Sequence, residues 1–475
     1  MSNEACYVTH PLKQFTGNPL LEALRIETDA ESLKARVAAN VDCEVDVTEL
    51  PTVYQHALVQ ELAQIHVPLP QFNAIYKKSA ALLLNSYLHR NPMSADSNAI
   101  KHTLGELFHG KKEFTSKLPM QRTTAPSVLV HGLSGSGKTT TIRSVLSCFT
   151  QVIEHNQYQN KMYKQTQLVW ISFDLPATPS IKALALNFFQ AVDDAVKTNY
   201  YNIWQKNNRL SVDQHLNAVR LIAETHALGL VHIDELQFML TYAKSKDSPT
   251  LTVLEALFNK LGIPMLLSCT SEGVELLRPQ TNNGSTLTPN ITTTRRMCND
   301  REFRFDLHKL NSVYFSELFN GLFPWGIREF NNFERDLFKE TFHHLSCGLP
   351  AVMTRLAQLY YELKFDLMEK NTGNKLFNDV QLEIKLLRSV YKNQFSLIAS
   401  ALKMLRSGMY QSYEAAVRGS ESASSSFSNK EQKQAKAMER AALPAVIKNE
   451  SDIRETDGSS FEVEKEIETG FGGTR

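Results

Sequence analysis

The sequence predicts an α/β fold with a parallel five-stranded sheet, a phosphate-binding loop, a helical lid, and N- and C-terminal extensions. Two observations lead to this prediction. Short apolar segments alternate with helical patterns from residue 125 to about residue 309, as expected for parallel strands joined by crossover helices. A glycine-rich stretch of the form G-x-x-x-x-G-K-[ST] follows the first apolar segment and precedes a helical pattern.

The chain has 475 residues, more than one compact core usually holds. We divide it into an N-terminal accessory region (1–124), a core (125–325), a helical lid with C-terminal helices (326–415) and a tail (416–475). The accessory region has helical patterns at 58–65 and 80–89. The tail has too few apolar residues to offset the entropy lost on ordering, so we expect it to be disordered or to fold on a partner.

The composition is that of an ordinary soluble protein, and we expect a cytoplasmic, DNA-associated location in a bacterium. The net charge is +1, which argues against coating nucleic acid by bulk electrostatics but leaves room for a local basic surface. The six cysteines are scattered singly, which favours reduced thiols. The sequence has neither a signal peptide pattern nor a long apolar run, so we expect no membrane partner.

We predict five strands in the core. They are Ser127–Val130, Leu168–Phe173, Leu230–Ile233, Pro264–Cys269 and Phe303–Leu307. The helical pattern that starts at Thr140 follows the glycine-rich stretch directly, and a wholly helical pattern occupies residues 330–413.

The glycine-rich stretch predicts a site for a nucleoside triphosphate. Backbone N–H groups of such a loop point at phosphate oxygens, the helix N-terminus adds its positive end, and Lys138 supplies a cation for the β- and γ-phosphates. Thr139 is the expected Mg²⁺ ligand. We assign ATP binding to Gly132, Leu133, Ser134, Gly135, Ser136, Gly137, Lys138, Thr139 and Thr140.

The third predicted strand ends in the carboxylates Asp234 and Glu235. An apolar strand followed by Asp-Glu is a weak signal alone, but it is a strong one downstream of a phosphate loop. We expect Asp234 to hold Mg²⁺ through water and Glu235 to polarise the water that attacks the γ-phosphate.

Further candidates follow the Asp-Glu pair. Thr270 ends the fourth predicted strand and serves as a γ-phosphate sensor, as a cap for the segment after it, or as both. Arg295 and Arg296, with Arg301, precede the fifth strand; one of them acts in trans on a neighbouring subunit's nucleotide, or they form a solvated basic turn. Arg355 in the lid is either a second sensor or a surface arginine.

The order of these motifs resembles the AAA+ ATPases, in which the Thr-terminated strand lies between the phosphate-loop strand and the Asp-Glu strand. More specifically, the chain resembles the TnsC-type regulators of Tn7-like transposons, which link target selection to the transposase. The segments that carry this resemblance are Asn18–Leu24, Leu186–Ala191, His226–Leu230 with Asp234–Gln237, Leu386–Tyr391 and Ala401–Gly408.

The resemblance implies that ATP-bound subunits assemble as a ring or filament, hexamer-like or heptamer-like, on double-stranded DNA. It implies partners of two kinds, transposase subunits and a target-site selection protein or guide-RNA complex, the latter contacting the N-terminal region. Candidate DNA contacts are Lys182, Lys206 and Arg209. Such contacts to phosphates give little sequence preference and strong salt sensitivity.

Two other functions share parts of this pattern. A helicase-loader or origin-type ATPase has the same core, but usually carries a C-terminal winged-helix domain, for which the tail gives little support. A small-molecule kinase uses the same loop, but the sequence has no obvious acceptor-binding insertion, and Glu235 suits water activation.

Overall fold

The computed structural model describes residues 3–41, 46–95, 126–177, 180–206, 211–239, 262–277, 301–327, 330–370 and 379–417, with short pieces between 97 and 106, 253 and 258, and 281 and 286. The chain divides into two compact units. The first takes its residues from Met1–Arg36, Pro70–Gly132 and Lys138–Phe305; the second takes them from Val37–Leu69, Leu133–Gly137 and Asp306–Arg475.

The elements follow in chain order. The strands are β1 (Asn3–Glu4), β2 (Ser127–Gly132), β3 (Val152–Tyr158), β4 (Lys161–Leu168), β5 (Trp170–Asp174), β6 (Leu230–Asp234), β7 (Met265–Thr270), β8 (Thr281–Asn282), β9 (Ser285–Thr286) and β10 (Glu302–Phe305). The helices are α1 (Pro19–Glu22), α2 (Ala30–Val37), α3 (Thr52–Glu61), α4 (Phe72–Leu88), α5 (Lys138–Ser147), α6 (Ile181–Val196), α7 (Tyr200–Gln205), α8 (Val212–Thr225), α9 (Val313–Leu322), α10 (Asn332–Ser346), α11 (Pro350–Lys370), α12 (Val380–Gln394), α13 (Ser396–Arg406) and α14 (Tyr410–Val417).

The main sheet of the first unit has the strand order β10-β2-β7-β6-β5 and is parallel throughout. The predicted fold class is therefore confirmed, with β7 between the phosphate-loop strand and the Asp-Glu strand. Strands β2, β6 and β7 are buried along their whole length, as expected for central parallel strands covered on both faces.

The prediction of one strand over Leu168–Phe173 was wrong at its start. Leu168 ends β4, which pairs antiparallel with β3, and β5 begins only at Trp170. The β3–β4 hairpin joins β1 in a second, three-stranded sheet. Because residues 161–166 of β4 are polar or exposed, their pattern does not signal a buried strand.

Helices cover the main sheet and form one apolar core with it. Members of this core include Leu129, Ile171, Phe188, Val219 and Leu267. Helix α6 has a sharp start and end: Ser180 accepts a hydrogen bond from the Ala183 amide at the N-cap, and Lys197 adopts the left-handed conformation at the C-cap.

The second unit is helical. Its core is aromatic and includes Phe319, Phe323, Phe342, Tyr360 and Tyr361, with ring centroids 4.9–5.8 Å apart for the pairs that Phe323 makes. Helix α11 contacts α3, α10 and α12.

Part of the N-terminal region belongs to this helical unit. Gln60 donates to the Glu362 carboxylate at 2.8 Å, and His56 lies 3.0 Å from Asp366, so α3 is held against α11 by polar as well as apolar contacts. The predicted helical patterns at 58–65 and 80–89 fall on the ends of α3, with a 3₁₀ turn after it, and of α4.

Within the described part of the chain, no helix is long and apolar enough to cross a membrane. Residues 418–475 of the predicted tail lie outside the described residues.

Candidate nucleotide site

The glycine-rich loop leaves β2 at Gly132 and enters α5 at Lys138. At Gly132 a Cβ atom would stand 2.2 Å from the Phe305 carbonyl oxygen, so only glycine allows β10 to approach this closely. Gly137 has a φ of +89°, in the region that glycine adopts without strain. The two positions therefore fix the turn from strand to helix.

Lys138 is buried, and its ammonium group donates to the Gly132 carbonyl at 2.9 Å. This contact places the positive charge across the mouth of the turn, at the first residue of α5. A cation and a helix N-terminus at one end of the loop favour an anion such as a phosphate.

The two predicted magnesium ligands, Thr139 and Asp234, lie in contact. The Thr139 hydroxyl donates to Asp234 Oδ2 at 2.7 Å. Thr139 comes after β2 and Asp234 is the last residue of β6, and the carboxyl ends of these two strands lie at the same edge of the parallel sheet. Hydroxyl and carboxylate oxygens are ligands that Mg²⁺ prefers, so the pair fits a magnesium ion.

The second oxygen of Asp234 has two donors. The Ser268 hydroxyl donates to Oδ1, as does the Glu235 amide at 2.8 Å. Burial alone would raise the pKa of Asp234, but His232 and the hydrogen bonds from Ser268, Thr139 and the Glu235 amide outweigh it and lower that pKa. Asp234 is therefore held as a carboxylate.

Glu235 has an unusual backbone conformation, with a φ of +59°. The Gln237 side-chain amide donates to its carboxylate, and Gln237 Oε1 accepts from the Thr270 amide at 3.1 Å. Gln237 thus connects the predicted water-polarising residue to the predicted sensor at the end of β7. Burial, followed by the charges of Asp234 and Asp174, raises the pKa of Glu235. A carboxylate with a raised pKa is a stronger base.

Asp174 is a third carboxylate at this edge that the sequence analysis missed. It ends β5 opposite Asp234 in the strand register. Partial burial and the charge of Asp234 raise its pKa. The sequence signal for Asp174 was an acidic residue at the end of another apolar strand. In a parallel sheet the carboxyl ends of the strands lie at one edge, so such a residue could have been expected near Asp234.

The tip of the loop, residues 133–137, makes its described contacts within the helical unit. The Ser134 amide donates to Glu414 Oε1 at 2.9 Å, and the Tyr413 hydroxyl donates to the Ser134 carbonyl at 3.2 Å. The Ala351 amide at the start of α11 donates to the Gly135 carbonyl at 3.3 Å. Tyr413 and Glu414 are both buried. No sequence motif points to them.

The other predicted ATP-binding residues vary in exposure. Leu133 and Ser136 are buried, and the Ser136 amide donates to the Leu133 carbonyl at 3.2 Å. Thr140 is exposed on the first turn of α5.

The predicted arginines and lysines are not assembled into this cluster by any described contact. Arg295, Arg296 and Arg209 lie outside the described residues. Arg355 is exposed on α11 and donates to Gln358 at 3.4 Å. Lys182 lies in the first turn of α6 and Lys206 is exposed after α7. Their assigned roles stay predictions.

A family model described as an AAA domain matches residues 121–277. Among curated proteins, none matches the chain. A solved Walker-type ATPase of Pyrococcus abyssi is 15% identical, with 66% of this chain and 84% of that chain covered and a TM-score of 0.34. The Drosophila ORC bound to DNA is 12% identical, with 83% and 88% covered and a TM-score of 0.27.

The family match joins two structural facts: a parallel sheet with β7 between β2 and β6, and a phosphate loop whose Thr139 meets Asp234. Residues 121–277 therefore match the AAA domain model, and the described strands of the sheet unit have the α/β fold of P-loop nucleoside triphosphatases.

Proposed function

We propose that the protein binds ATP with Mg²⁺ at the phosphate loop and hydrolyses it, and that its ATP-bound form assembles on double-stranded DNA as a TnsC-type regulator of transposition. The observation that carries the hydrolytic part is the contact between Thr139 and Asp234, with Glu235 next in the chain. The resemblance of the flanking segments supports the rest.

The loop binds the triphosphate through its own backbone. Backbone amides of the loop supply donors, and Lys138 supplies the charge that pairs with the β- and γ-phosphates. Thr139 and Asp234 would hold the magnesium ion, which neutralises charge on the phosphates when bound. The hydrogen bond between these two residues, with their oxygens 2.7 Å apart, supports this assignment.

Glu235 is the residue that accepts a proton from the attacking water. The raised pKa of Glu235 makes it a better base than an exposed glutamate, and Gln237 restrains its carboxylate. Gln237 also accepts a hydrogen bond from the Thr270 amide. A movement of Thr270 on γ-phosphate binding would therefore move Gln237 and, through it, the Glu235 carboxylate.

The DNA-bound assembly is proposed from the resemblance. Lys182, Lys206 and Arg209 would contact DNA phosphates, and Arg295 or Arg296 would act on the nucleotide of a neighbouring subunit. Transposase subunits and a target-selection protein or guide-RNA complex would be the partners. ATP would favour the assembled state and hydrolysis would dissolve it.

The test is sedimentation and particle imaging of the full chain with linear duplex DNA in ATP with Mg²⁺, in a non-hydrolysable analogue, and in ADP. We expect rings or filaments with the triphosphates only. Lys138→Ala should abolish them, and Glu235→Gln should keep them while stopping hydrolysis. Lys161→Ala, at an exposed lysine of β4, is the matched control.

A protein that stays monomeric and does not bind DNA in any of the three nucleotide conditions would refute the proposed assembly. Hydrolysis of ATP without any added acceptor separates this function from that of a kinase, which needs one. Hydrolysis at the normal rate by Glu235→Gln would refute the role of Glu235.

A further inference from the structure

A row of hydrogen-bonded polar side chains crosses three neighbouring strands of the main sheet. Ser172 on β5, His232 on β6 and Ser268 on β7 are linked by hydrogen bonds, and the row ends on Asp234. We propose that Ser268 and His232 are positioning residues, which orient the Asp234 carboxylate and strengthen it as a ligand for Mg²⁺. This inference rests on the proposed function of the same site.

The direction of each hydrogen bond follows from the last one. Ser268 donates its only hydroxyl hydrogen to Asp234 Oδ1, so it must accept at 2.9 Å from His232 Nε2. A neutral imidazole with its hydrogen on Nε2 then accepts at Nδ1 from the Ser172 hydroxyl, 2.7 Å away. All three hydrogens point toward Asp234.

Aligned hydrogen bonds polarise one another, most strongly where water is excluded. His232 and Ser268 are fully buried, at 0% exposure. The row therefore directs the positive ends of three dipoles at one carboxylate oxygen. This arrangement favours the ionised form of Asp234 over the protonated form.

Folding alone does not require this row. Apolar groups of the same shape can replace a buried hydrogen-bonded pair with little loss of stability, whereas a single unpaired polar group is costly. Neighbouring positions of β6 are indeed apolar, Val231 and Ile233 among them. What the polar row provides, and an apolar one would not, is a fixed donor at Asp234.

The two carboxylate oxygens are treated differently. Oδ1 accepts from Ser268 and from the Glu235 amide, while Oδ2 faces the Thr139 hydroxyl. Thr139 is the other expected magnesium ligand. The Ser268 contact thus fixes the rotation of the carboxylate, so that Oδ2 is the oxygen presented toward Thr139.

The first test uses the wild-type protein without nucleotide or metal. Two-bond ¹H–¹⁵N correlation spectra of the imidazoles, assigned with His232→Gln, should show His232 neutral with its hydrogen on Nε2. A hydrogen on Nδ1, or a doubly protonated ring at pH 7.5, would overturn the inference. This measurement does not depend on ATP hydrolysis.

The second test measures how hydrolysis depends on Mg²⁺ concentration. We expect Ser268→Ala to need roughly tenfold more Mg²⁺ for half-maximal activity, and Ser172→Ala to need a few-fold more. Metal-free ATP affinity should change in neither variant. Ser268→Thr, which retains a hydroxyl, should recover most of the difference.

Ser127→Ala is the matched control. Ser127 is also fully buried in the same sheet, on β2, and its hydroxyl has no hydrogen-bond partner among the described residues. It should keep the wild-type Mg²⁺ dependence. An unchanged dependence in Ser268→Ala, or an equal shift in Ser127→Ala, would overturn the positioning role, whereas a wild-type protein without hydrolysis would refute the proposed function instead.

Discussion

Two carboxylates accept hydrogen bonds from the phosphate loop, and their surroundings differ. Asp234 in the sheet unit accepts from the Thr139 side chain at the start of α5, and other donors surround it. Glu414 in the helical unit accepts from the Ser134 backbone amide at the loop tip. The first hydrogen bond comes from the side chain of Thr139, a predicted magnesium ligand. The second comes from a backbone amide of the loop, a group that would otherwise be able to donate to a phosphate.

This difference separates two tasks that a phosphate loop combines. The charge of Asp234, beside the hydroxyl of Thr139, attracts a magnesium ion and so favours binding of a magnesium-bound triphosphate. The charge of Glu414, which accepts a hydrogen bond from the Ser134 amide, is negative and lies where the loop is expected to bind an anion. We therefore expect removal of the two charges to have opposite consequences for ATP.

Removal of the sheet carboxylate should have the largest effect. Asp234→Asn keeps the shape but loses the charge that supports the cation, and metal assistance is worth several kcal/mol in such reactions. We expect the hydrolysis rate to fall roughly a thousandfold. Steady-state phosphate release measures it, and a loss below tenfold would contradict the role of Asp234.

Acid should act on both units through a buried histidine in each. Burial lowers the pKa of His232 to about 4, and burial with the nearby His343 lowers that of His308 to about 4. The folded state binds the neutral ring, whereas the unfolded chain takes up a proton below pH 6.5. The free energy of unfolding is therefore unaffected by these rings above pH 6.5 and decreases as the pH falls from 6.5 toward 4. Each ring contributes up to about 3 kcal/mol.

Urea unfolding at pH 7 and pH 4.5 measures this loss. His308→Phe keeps a ring against Tyr314, whose centroid lies 4.1 Å from that of His308, but cannot titrate. It should flatten the acid dependence of the helical unit alone. An unchanged acid dependence in this variant would show that His308 does not control it.

Removal of the helical carboxylate should strengthen ATP binding. Glu414→Gln keeps an oxygen to accept from the Ser134 amide but removes a charge that repels the phosphates, worth about 1–2 kcal/mol at an effective dielectric constant of about 20. We expect roughly 5–30-fold tighter binding in calorimetry. Glu340→Gln, at an exposed glutamate of α10, is the control; weaker binding in Glu414→Gln would mean that the charge holds the loop in its binding form.

The smallest effect should come from the neighbouring hydroxyl. Burial, with the charge of Glu414, raises the pKa of Tyr413, so its hydroxyl remains a donor to the Ser134 carbonyl. Tyr413→Phe removes one hydrogen bond of about 1 kcal/mol. We expect ATP binding up to about fivefold weaker, opposite in sign to Glu414→Gln. Tighter binding would show that the two residues act on the loop in the same sense.

The sequence predicted the parts of the site whose signal is local. The loop, Lys138, Thr139 and the Asp-Glu pair each lie within a short motif, and the alternation of strands and helices predicted the parallel sheet. Thr270 was predicted as a γ-phosphate sensor from a single polar residue at a strand end. The strand order β2-β7-β6 is the one that the AAA+ resemblance implies, and the role of Thr270 stays a prediction.

The remaining parts depend on contacts that no local pattern records. Ser268 and His232 look like ordinary interruptions of apolar strands until the pairing of β6 with β7 brings their side chains within hydrogen-bond distance. Gln237 follows the Asp-Glu pair by two residues, but its role depends on the Thr270 amide from another strand. Glu414 contacts Ser134 although the two residues are 280 positions apart in the sequence, so no short motif could have predicted the contact.

That separation has a consequence for the growing chain. Ribosomes add about 5–20 residues per second, so roughly 15–55 seconds pass between the synthesis of Ser134 and that of Glu414. Throughout this interval the loop sequence exists without the helix that binds its tip. A nascent chain therefore carries the phosphate loop before Glu414 has been made, and the contact with Ser134 can form only once the residues of α14 have been added.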